Sequence, residues 1–357
     1  MLKYSFGMDI SMKDIHTCLS VIDNRQQVKV QATKKFDNNE HGFKAMLVWL
    51  NRHKKEDEIP LICVMEATGV YYEECAFFLF KAGFETAVVL PTKAKKYMQA
   101  LGFKTKNDKM DSVGLACMGA QQCLELWKPL DAFFYTLRAL TRHHQSLQEL
   151  KTSLNNQLHA DENSIYSNKK VKKQLRTLIL NINKQLRETE KNVHAHLYSD
   201  DKIAERVDHI VAIKGIGHMT VATVLGETNG FLLFKSISQL ISYAGYDVIE
   251  NQSGNHKGKT KISKKGSSHI RRVLHMPAFN MIRYDVGNMK IFFDRILARH
   301  NKKMKAYVAV QKKLLALIYT LWQKNEEFKP QAQWVALKSD STAPYYAAEQ
   351  ETQVHKI

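Results

Sequence analysis

Asp108 and Asp111 stand three residues apart in Lys104-Thr-Lys-Asn-Asp-Lys-Met-Asp111-Ser, ahead of a helix-like apolar run from Val113 to Cys123. On a helix that spacing puts both carboxylates on one face of the first turn. Acids there also cap the helix and offset its dipole, so capping alone is one reading of the pair. Two further acids point to chemistry. Asp9 lies inside the apolar strand pattern Tyr4-Ser-Phe-Gly-Met-Asp-Ile, and Glu66 ends another, Leu61-Ile-Cys-Val-Met-Glu. A carboxylate in such a place is costly unless it is paired or binds a cation. Acids brought together from two strands and a helix are what a two-metal phosphoryl-transfer site requires, with Mg2+ or Mn2+ as the ion. Asp9, Glu66, Asp108 and Asp111 are therefore the candidate metal ligands and catalytic acids.

Elements must position them. Residues 4–11, 15–22 and 27–36 read as three short strands rich in β-branched and aromatic residues, and Ile22-Asp-Asn-Arg-Gln suits a hairpin turn. A helix follows from Asn39 to His53, then a strand over Leu61–Ala67, a helix over Val70–Ala82, and a strand over Phe84–Leu90. Two more helices are predicted, near 92–101 and 108–123. This α/β order resembles that of the RNase H-like, or RuvC-like, fold. There the first acid sits on the central first strand, the second ends the fourth strand and the last lie on a late helix. The predicted domain runs over residues 1–128.

The pattern then changes. Leu137, Leu140, Leu147, Leu150, Leu154 and Leu158 form one narrow stripe, and Leu175, Leu178, Ile182, Leu186, Val193 and Leu197 form a second. Residues 129–202 read as a helical hairpin or coiled-coil spacer, either an internal support or a dimerising arm. Residues 203–328 read as a mostly helical domain. In it Ile213-Lys-Gly-Ile-Gly217 joins two helices in a helix-hairpin-helix pattern. Gly215 and Gly217 would let backbone N–H groups meet a phosphate, although an ordinary αα-turn has the same form. Residues 329–357 read as a flexible tail.

A formal charge of +18 points to a polyanionic partner, with nucleic acid first. From 251 to 329 there are 18 Lys/Arg against four Asp/Glu, so the charge is concentrated there. Lys257, Lys259, Lys261, Lys264, Lys265, Arg271 and Arg272 are the candidate phosphate ligands. The cysteines form no C-x-x-C pair and read as reduced core residues. No stretch of about 18 uncharged apolar residues occurs, and no signal peptide opens the chain. The expectation is a cytoplasmic, nucleoid-associated protein without a membrane span.

Gly7-Met-Asp9-Ile-Ser, Met65-Glu66-Ala-Thr-Gly-Val-Tyr, Lys106-Asn-Asp108-Lys-Met-Asp111, Gln-Ser253-Gly and Lys-Ile-Ser-Lys-Lys-Gly266 occur in this order and spacing. Together they resemble the DEDD transposases of the insertion-sequence one-ten family, relatives of the Piv DNA invertase. The resemblance covers about residues 4–325 and implies DNA recombination of a mobile element, guided by a structured RNA. It implies a RuvC-like domain and a transposase domain assembled in a homo-oligomer, a dimer or tetramer. It also implies that Ser253 is a nucleophile joined covalently to a DNA phosphate.

From the residues alone, Ser253 is one of four local hydroxyls, with Ser263, Ser267 and Ser268. Ser267 and Ser268 suit the N-cap of the next helix. Gly254 permits close approach to DNA, and neighbouring lysines would neutralise a phosphate. Two other functions compete. One is a metal-dependent junction resolvase or nuclease that cuts by water attack, for which Ser253 is dispensable. The other is a non-catalytic nucleic-acid-binding protein whose acids only cap and pair.

Overall fold

The computed structural model describes residues 1–102, 107–250, 252–254, 256–258 and 260–329. The chain divides into two compact units, Met1–Pro129 and Leu130–Ile357.

In the first unit, β1 (Lys3–Ile10), β2 (Asp14–Ile22) and β3 (Val28–Asp37) form an antiparallel meander. The turn after Ile22 is closed by Asp23 Oδ1, which accepts from Arg25 N and Gln27 N. Helix α1 (Glu40–His53) follows, capped by Asn39 Oδ1 on Gly42 N. Strands β4 (Leu61–Glu66) and β5 (Glu85–Val89) then add in parallel, giving the sheet order β3-β2-β1-β4-β5. Helix α2 (Glu73–Lys81) is the crossover between β4 and β5, and α3 (Pro91–Ala100) and α4 (Asp108–Gln121) follow the last strand. This is a mixed α/β domain resembling the RNase H-like fold, with β1 central as the sequence predicts.

One boundary differs. The sequence pattern starts α2 at Val70, but the helix begins at Glu73. Thr68 Oγ1 donates to the carbonyl of Ile10, and Gly69 takes a left-handed φ of +58°. Together these hold the chain in a turn at the end of β4.

The two faces of β1 carry separate cores. Tyr4, Phe6, Met8 and Ile10 pack with Phe43, Met46 and Leu50 of α1 and with Cys75, Ala76 and Leu79 of α2. The other face receives α4. Glycine allows this approach: a Cβ on Gly7 would stand 2.2 Å from Ala116 N and 2.3 Å from Ser112 O. Burial pushes the thiols of Cys63 and Cys75 up, in keeping with core cysteines, while Cys123 is exposed.

The second unit is mostly helical. Helices α5 (Ala132–Glu162) and α6 (Lys169–Leu197) start at the side-chain caps Asp131 and Asn168. They run antiparallel, as shown by His196 against the Phe133 carbonyl at 2.9 Å, His144–Glu190 at 3.1 Å and Glu162–Arg176 at 2.7 Å. The seam buries Leu137, Leu147, Leu175, Leu186, Val193 and Leu197. Then come α7 (Asp201–Val211), α8 (His218–Thr228) and α9 (Ile237–Tyr243). Four two-residue strands follow: β6 (Val248–Ile249), β7 (Gln252–Ser253), β8 (His256–Lys257) and β9 (Lys261–Ile262).

Four helices complete the described chain: α10 (Ser268–Val273), α11 (His275–Arg283), α12 (Met289–His300) and α13 (Lys303–Lys324). The sequence reads 267–282 as one helix, but it is broken at Leu274. Pro277 lacks an N–H to continue the ladder and crowds the preceding turn. The core gathers Val207, Ile210, Val221, Leu225, Leu274, Met281, Leu314 and Ile318. Among the described residues no helix is long and apolar enough to cross a membrane. The predicted tail lies outside the described residues from 330 onward.

Candidate active site and nucleic-acid interface

Strand register places the first two acids. Met8 of β1 pairs in parallel with Met65 of β4, so the next residues, Asp9 and Glu66, stand side by side near the ends of these strands. Ser5, Gly7 and Asp9 alternate away from the α1/α2 core and toward α4. Val64, two residues before Glu66, lies on that same face, within 2.4 Å of where a Gly119 Cβ would be. The N-terminus of α4 brings the other pair. Asn107 Oδ1 caps Met110 N at 2.8 Å, so the acids themselves are not the cap. Asp108 is exposed and Asp111 half-buried. All four candidate acids thus belong to one face of one unit.

Their donor chemistry, carboxylate oxygen throughout, fits a hard divalent cation. Yet among the described residues no three His, Cys, Asp or Glu side chains stand close enough together to hold a metal ion. The expected tetrad is present as positions on a face and not as a formed coordination shell. Carboxylates repel one another, and closing them into a shell takes a cation.

The predicted helix-hairpin-helix turn joins α7 to α8. Ile213 and Ile216 anchor it in the core, while Lys214 is exposed and lies 4.2 Å from the Tyr284 ring centroid. Gly215 has φ of +100° and packs on Asn280. Gly217 is the N-cap of α8, and nothing lies within 4 Å of where its Cβ would be. Glycine at this position offers no side-chain cap to the first N–H groups of α8.

Ser253 is exposed near the tip of an antiparallel β-hairpin, not in the loop that the sequence suggests. Val248 and Ile249 pair with Ile262 and Lys261 at its base, and Gln252 and Ser253 with Lys257 and His256 near its end. The register slips by one residue between the ladders. Gly254, at φ of +54° with open space around it, makes the turn. The other local hydroxyls have structural tasks. Ser263 Oγ donates to Asp247, and Ser267 Oγ caps α10 by accepting from Ile270 N. Ser268 is the first residue of that helix.

The basic residues divide. Lys261, Lys264 and Lys265 are exposed around the hairpin base. The Lys257 side chain and Lys259 lie outside the described residues. Arg271, expected as a phosphate ligand, has part of its guanidinium engaged within the fold. Its Nη1 donates to the carbonyls of Ala244, Gly266 and Ser267, so this nitrogen satisfies helix ends within the fold. Arg272 is exposed but already paired with Glu149 of α5.

Two features escape the sequence reading. His16 of β2 is the cross-strand neighbour of Asp9, and its Nε2 lies 3.7 Å from Asp108 Oδ2. Only strand pairing reveals it. Glu227, at 3% exposure, is held by Arg142 through bonds of 2.7 and 3.0 Å and lies 3.4 Å from Ser267 Oγ. Its two partners are 85 and 40 residues away, beyond any local spacing rule.

A transposase family model of the DEDD IS110 type matches residues 6–161, and a second, described as transposase IS116/IS110/IS902 family, matches residues 207–294. The pilin gene-inverting protein of Moraxella bovis is 26% identical over 332 residues, spanning 92% of this chain and 98% of that protein. The pilin gene-inverting protein of Moraxella lacunata gives the same figures. Among solved structures, Thermus thermophilus RuvC is 9% identical over 35% of this chain and 99% of its own, with a TM-score of 0.28. The fowlpox virus Holliday junction resolvase is 16% identical over 33% of this chain and 99% of its own, with a TM-score of 0.25. The first family model covers the acid-bearing sheet from residue 6 onward, and the second covers the turn between α7 and α8 and the serine hairpin. Over these two stretches the chain is similar to the transposases of the IS116/IS110/IS902 family.

Proposed function

We propose that the protein is a DNA recombinase of an insertion sequence, using the acids Asp9, Glu66, Asp108 and Asp111 together with Ser253 as nucleophile. The observation that carries this reading is the display of Ser253. It is exposed near the tip of a hairpin, beside a glycine with nothing within 4 Å of its Cβ position, while the neighbouring serines serve the fold. The match to both family models supports the pairing of this serine with the acids. The relatives' name, pilin gene-inverting protein, supports DNA as the substrate.

In this reading Ser253 Oγ gives up its proton and forms a bond to a backbone phosphorus. One P–O bond of the strand breaks, and the departing oxygen takes a proton. The phosphodiester's energy is kept in the Oγ–P bond, so a second strand's hydroxyl can reverse the step and reseal. Bound between the acids, Mg2+ or Mn2+ would stabilise the charge that develops on the phosphoryl oxygens. Lys261, Lys264 and Lys265 would hold the substrate's phosphates, with Gly217 and the start of α8 holding the backbone at a distance from the cut. A structured guide RNA and assembly as a dimer or tetramer belong to the same reading. They rest on the resemblance and on the charge of +18.

The test is denaturing recovery of DNA-linked protein. Wild-type chain should carry covalent DNA that maps to Ser253. Ser253→Ala should lose the adduct and strand exchange by roughly a thousand-fold or more. An Asp9→Ala chain mixed with a Ser253→Ala chain reports whether acids and serine of different subunits share a site. Cleavage that survives Ser253→Ala but dies with Asp9→Ala would overturn the serine assignment in favour of water attack by a resolvase-like nuclease.

A further inference from the structure

The arm built by α5 and α6 ends in the turn 163–168. In that turn Ile165 and Tyr166 are each 92% exposed, more than any other large apolar side chain among the described residues. The turn is tied down rather than loose. Asp161 accepts from Ser167 Oγ and Asn168 N, Ser164 Oγ donates to the Asp161 carbonyl, and Asn168 Oδ1 caps Lys170 N and Val171 N. Its bonds thus hold the two apolar side chains out into water.

A row of lysines follows them. Lys169, Lys170 and Lys173 are exposed and Lys172 is half-buried, all on the first turns of α6. The acids of the tip are engaged elsewhere, Asp161 by the turn and Glu162 by Arg176 at 2.7 Å. An exposed aromatic ring beside a row of lysines suits a ligand with a flat π-face and an adjoining run of phosphates. It does not suit a second copy of the chain, which brings another +18 of charge and the same lysines.

We propose that the arm tip is a separate binding point for single-stranded DNA. Tyr166, backed by Ile165, stacks on an unpaired base, and Lys169, Lys170, Lys172 and Lys173 hold the flanking phosphates. This rests on DNA being the substrate but on neither the acid face nor Ser253. Strand exchange leaves bases unpaired, and a stacking residue is indifferent to their sequence.

The experiment uses full-length protein and a labelled, mixed-sequence single-stranded DNA oligonucleotide, with affinity followed across a salt series. Ile165→Ala with Tyr166→Ala should weaken binding roughly ten-fold, while Tyr166→Phe keeps it. Replacing the four lysines with Gln should flatten the salt dependence by about 0.7 in slope for each phosphate that is no longer neutralised. An oligonucleotide carrying 5-iodouracil should crosslink to Tyr166 on irradiation. Unchanged affinity and salt slope in these variants would overturn the proposal. So would a loss confined to an RNA probe of the same sequence. A fall in oligomer mass at unaltered DNA affinity would make the tip a protein-binding surface and reject it as well. Ser253→Ala should keep the tip-dependent binding, so failure of the tip and failure of the serine chemistry give different results.

Discussion

The acid face and the serine hairpin are built in opposite ways. Asp9 and Glu66 stand near the ends of strands, their neighbours Met8 and Met65 are fully buried, and α4 lies against that sheet closely enough to require Gly7. Ser253 stands on ladders two residues deep, with no buried side chain among β6–β9 in the described residues. Groups that share an ion need their spacing fixed to a fraction of an ångström, which a packed sheet supplies. A group that must meet a long polymer needs reach, which a protruding hairpin supplies.

The largest effect is expected where α4 touches β1. Gly7→Val would drive side-chain atoms into Ala116 and Ser112 backbone, which cannot give way, and overpacking of this kind costs about 3 kcal/mol or more. Chemical denaturation should show that loss. DNA cleavage should fall while DNA binding persists, because the displaced helix carries Asp108 and Asp111. Wild-type cleavage in a folded Gly7→Val protein would break the contrast between a rigid acid face and a compliant hairpin.

A smaller effect is expected at the root of the hairpin. Glu227→Ala strips the half-exposed Arg142 of its partner and leaves Ser267 beside a cavity. Removing one partner of a fully buried pair costs about 3–5 kcal/mol, and the exposure of Arg142 reduces this to roughly 1–3. Denaturation should place the loss in the second unit alone, with the covalent yield at Ser253 reduced and the stability of the first unit unchanged.

The smallest effect concerns His218 at the start of α8. Burial, aided by nearby His194, holds its imidazole below the usual range, against the opposing pull of Asp208. The folded protein therefore favours the neutral ring. Its contribution to stability is present above a pH of about 6.5 and is lost as pH falls through the lowered folded value. His218→Asn should flatten the acid side of the stability profile slightly, as read by melting temperature in steps from neutral to mildly acidic buffer. An unchanged slope would place the acid sensitivity of this unit elsewhere.

What the sequence discloses follows from the range of the forces involved. Short runs of six to ten residues, rich in apolar, β-branched and aromatic side chains and separated by polar turns, make β1, β2, β3 and β4 readable. Side-chain caps such as Asn107, Asp131, Asn168 and Ser267 mark helix starts within a residue or two. The hairpin around Ser253 is not readable in this way. Strands of two residues contain no period, and a run of Lys, Gly and Ser looks like a solvated loop whether or not it pairs. The broken helix at Leu274 is legible in principle from Pro277, but the apolar spacing on both sides of it hides the break. His16 beside Asp108 and Arg142 on Glu227 depend on tertiary packing alone. Arg271 shows the converse hazard: a basic residue in a basic run can be spent in part on carbonyls of its own fold.

Helix α5 has 31 residues, a rod of about 46 Å. Three of its side chains grip the rest of the second unit: Arg142 on Glu227, Gln145 on His269 at 2.6 Å, and Glu149 on Arg272. These bonds make a fulcrum, and the free end of the rod extends roughly 20 Å beyond it. A sideways load at the far end becomes a torque on α10, the helix into which the serine hairpin runs. Hydrogen bonds weaken steeply once they are bent, so the joint yields by letting go rather than by stretching.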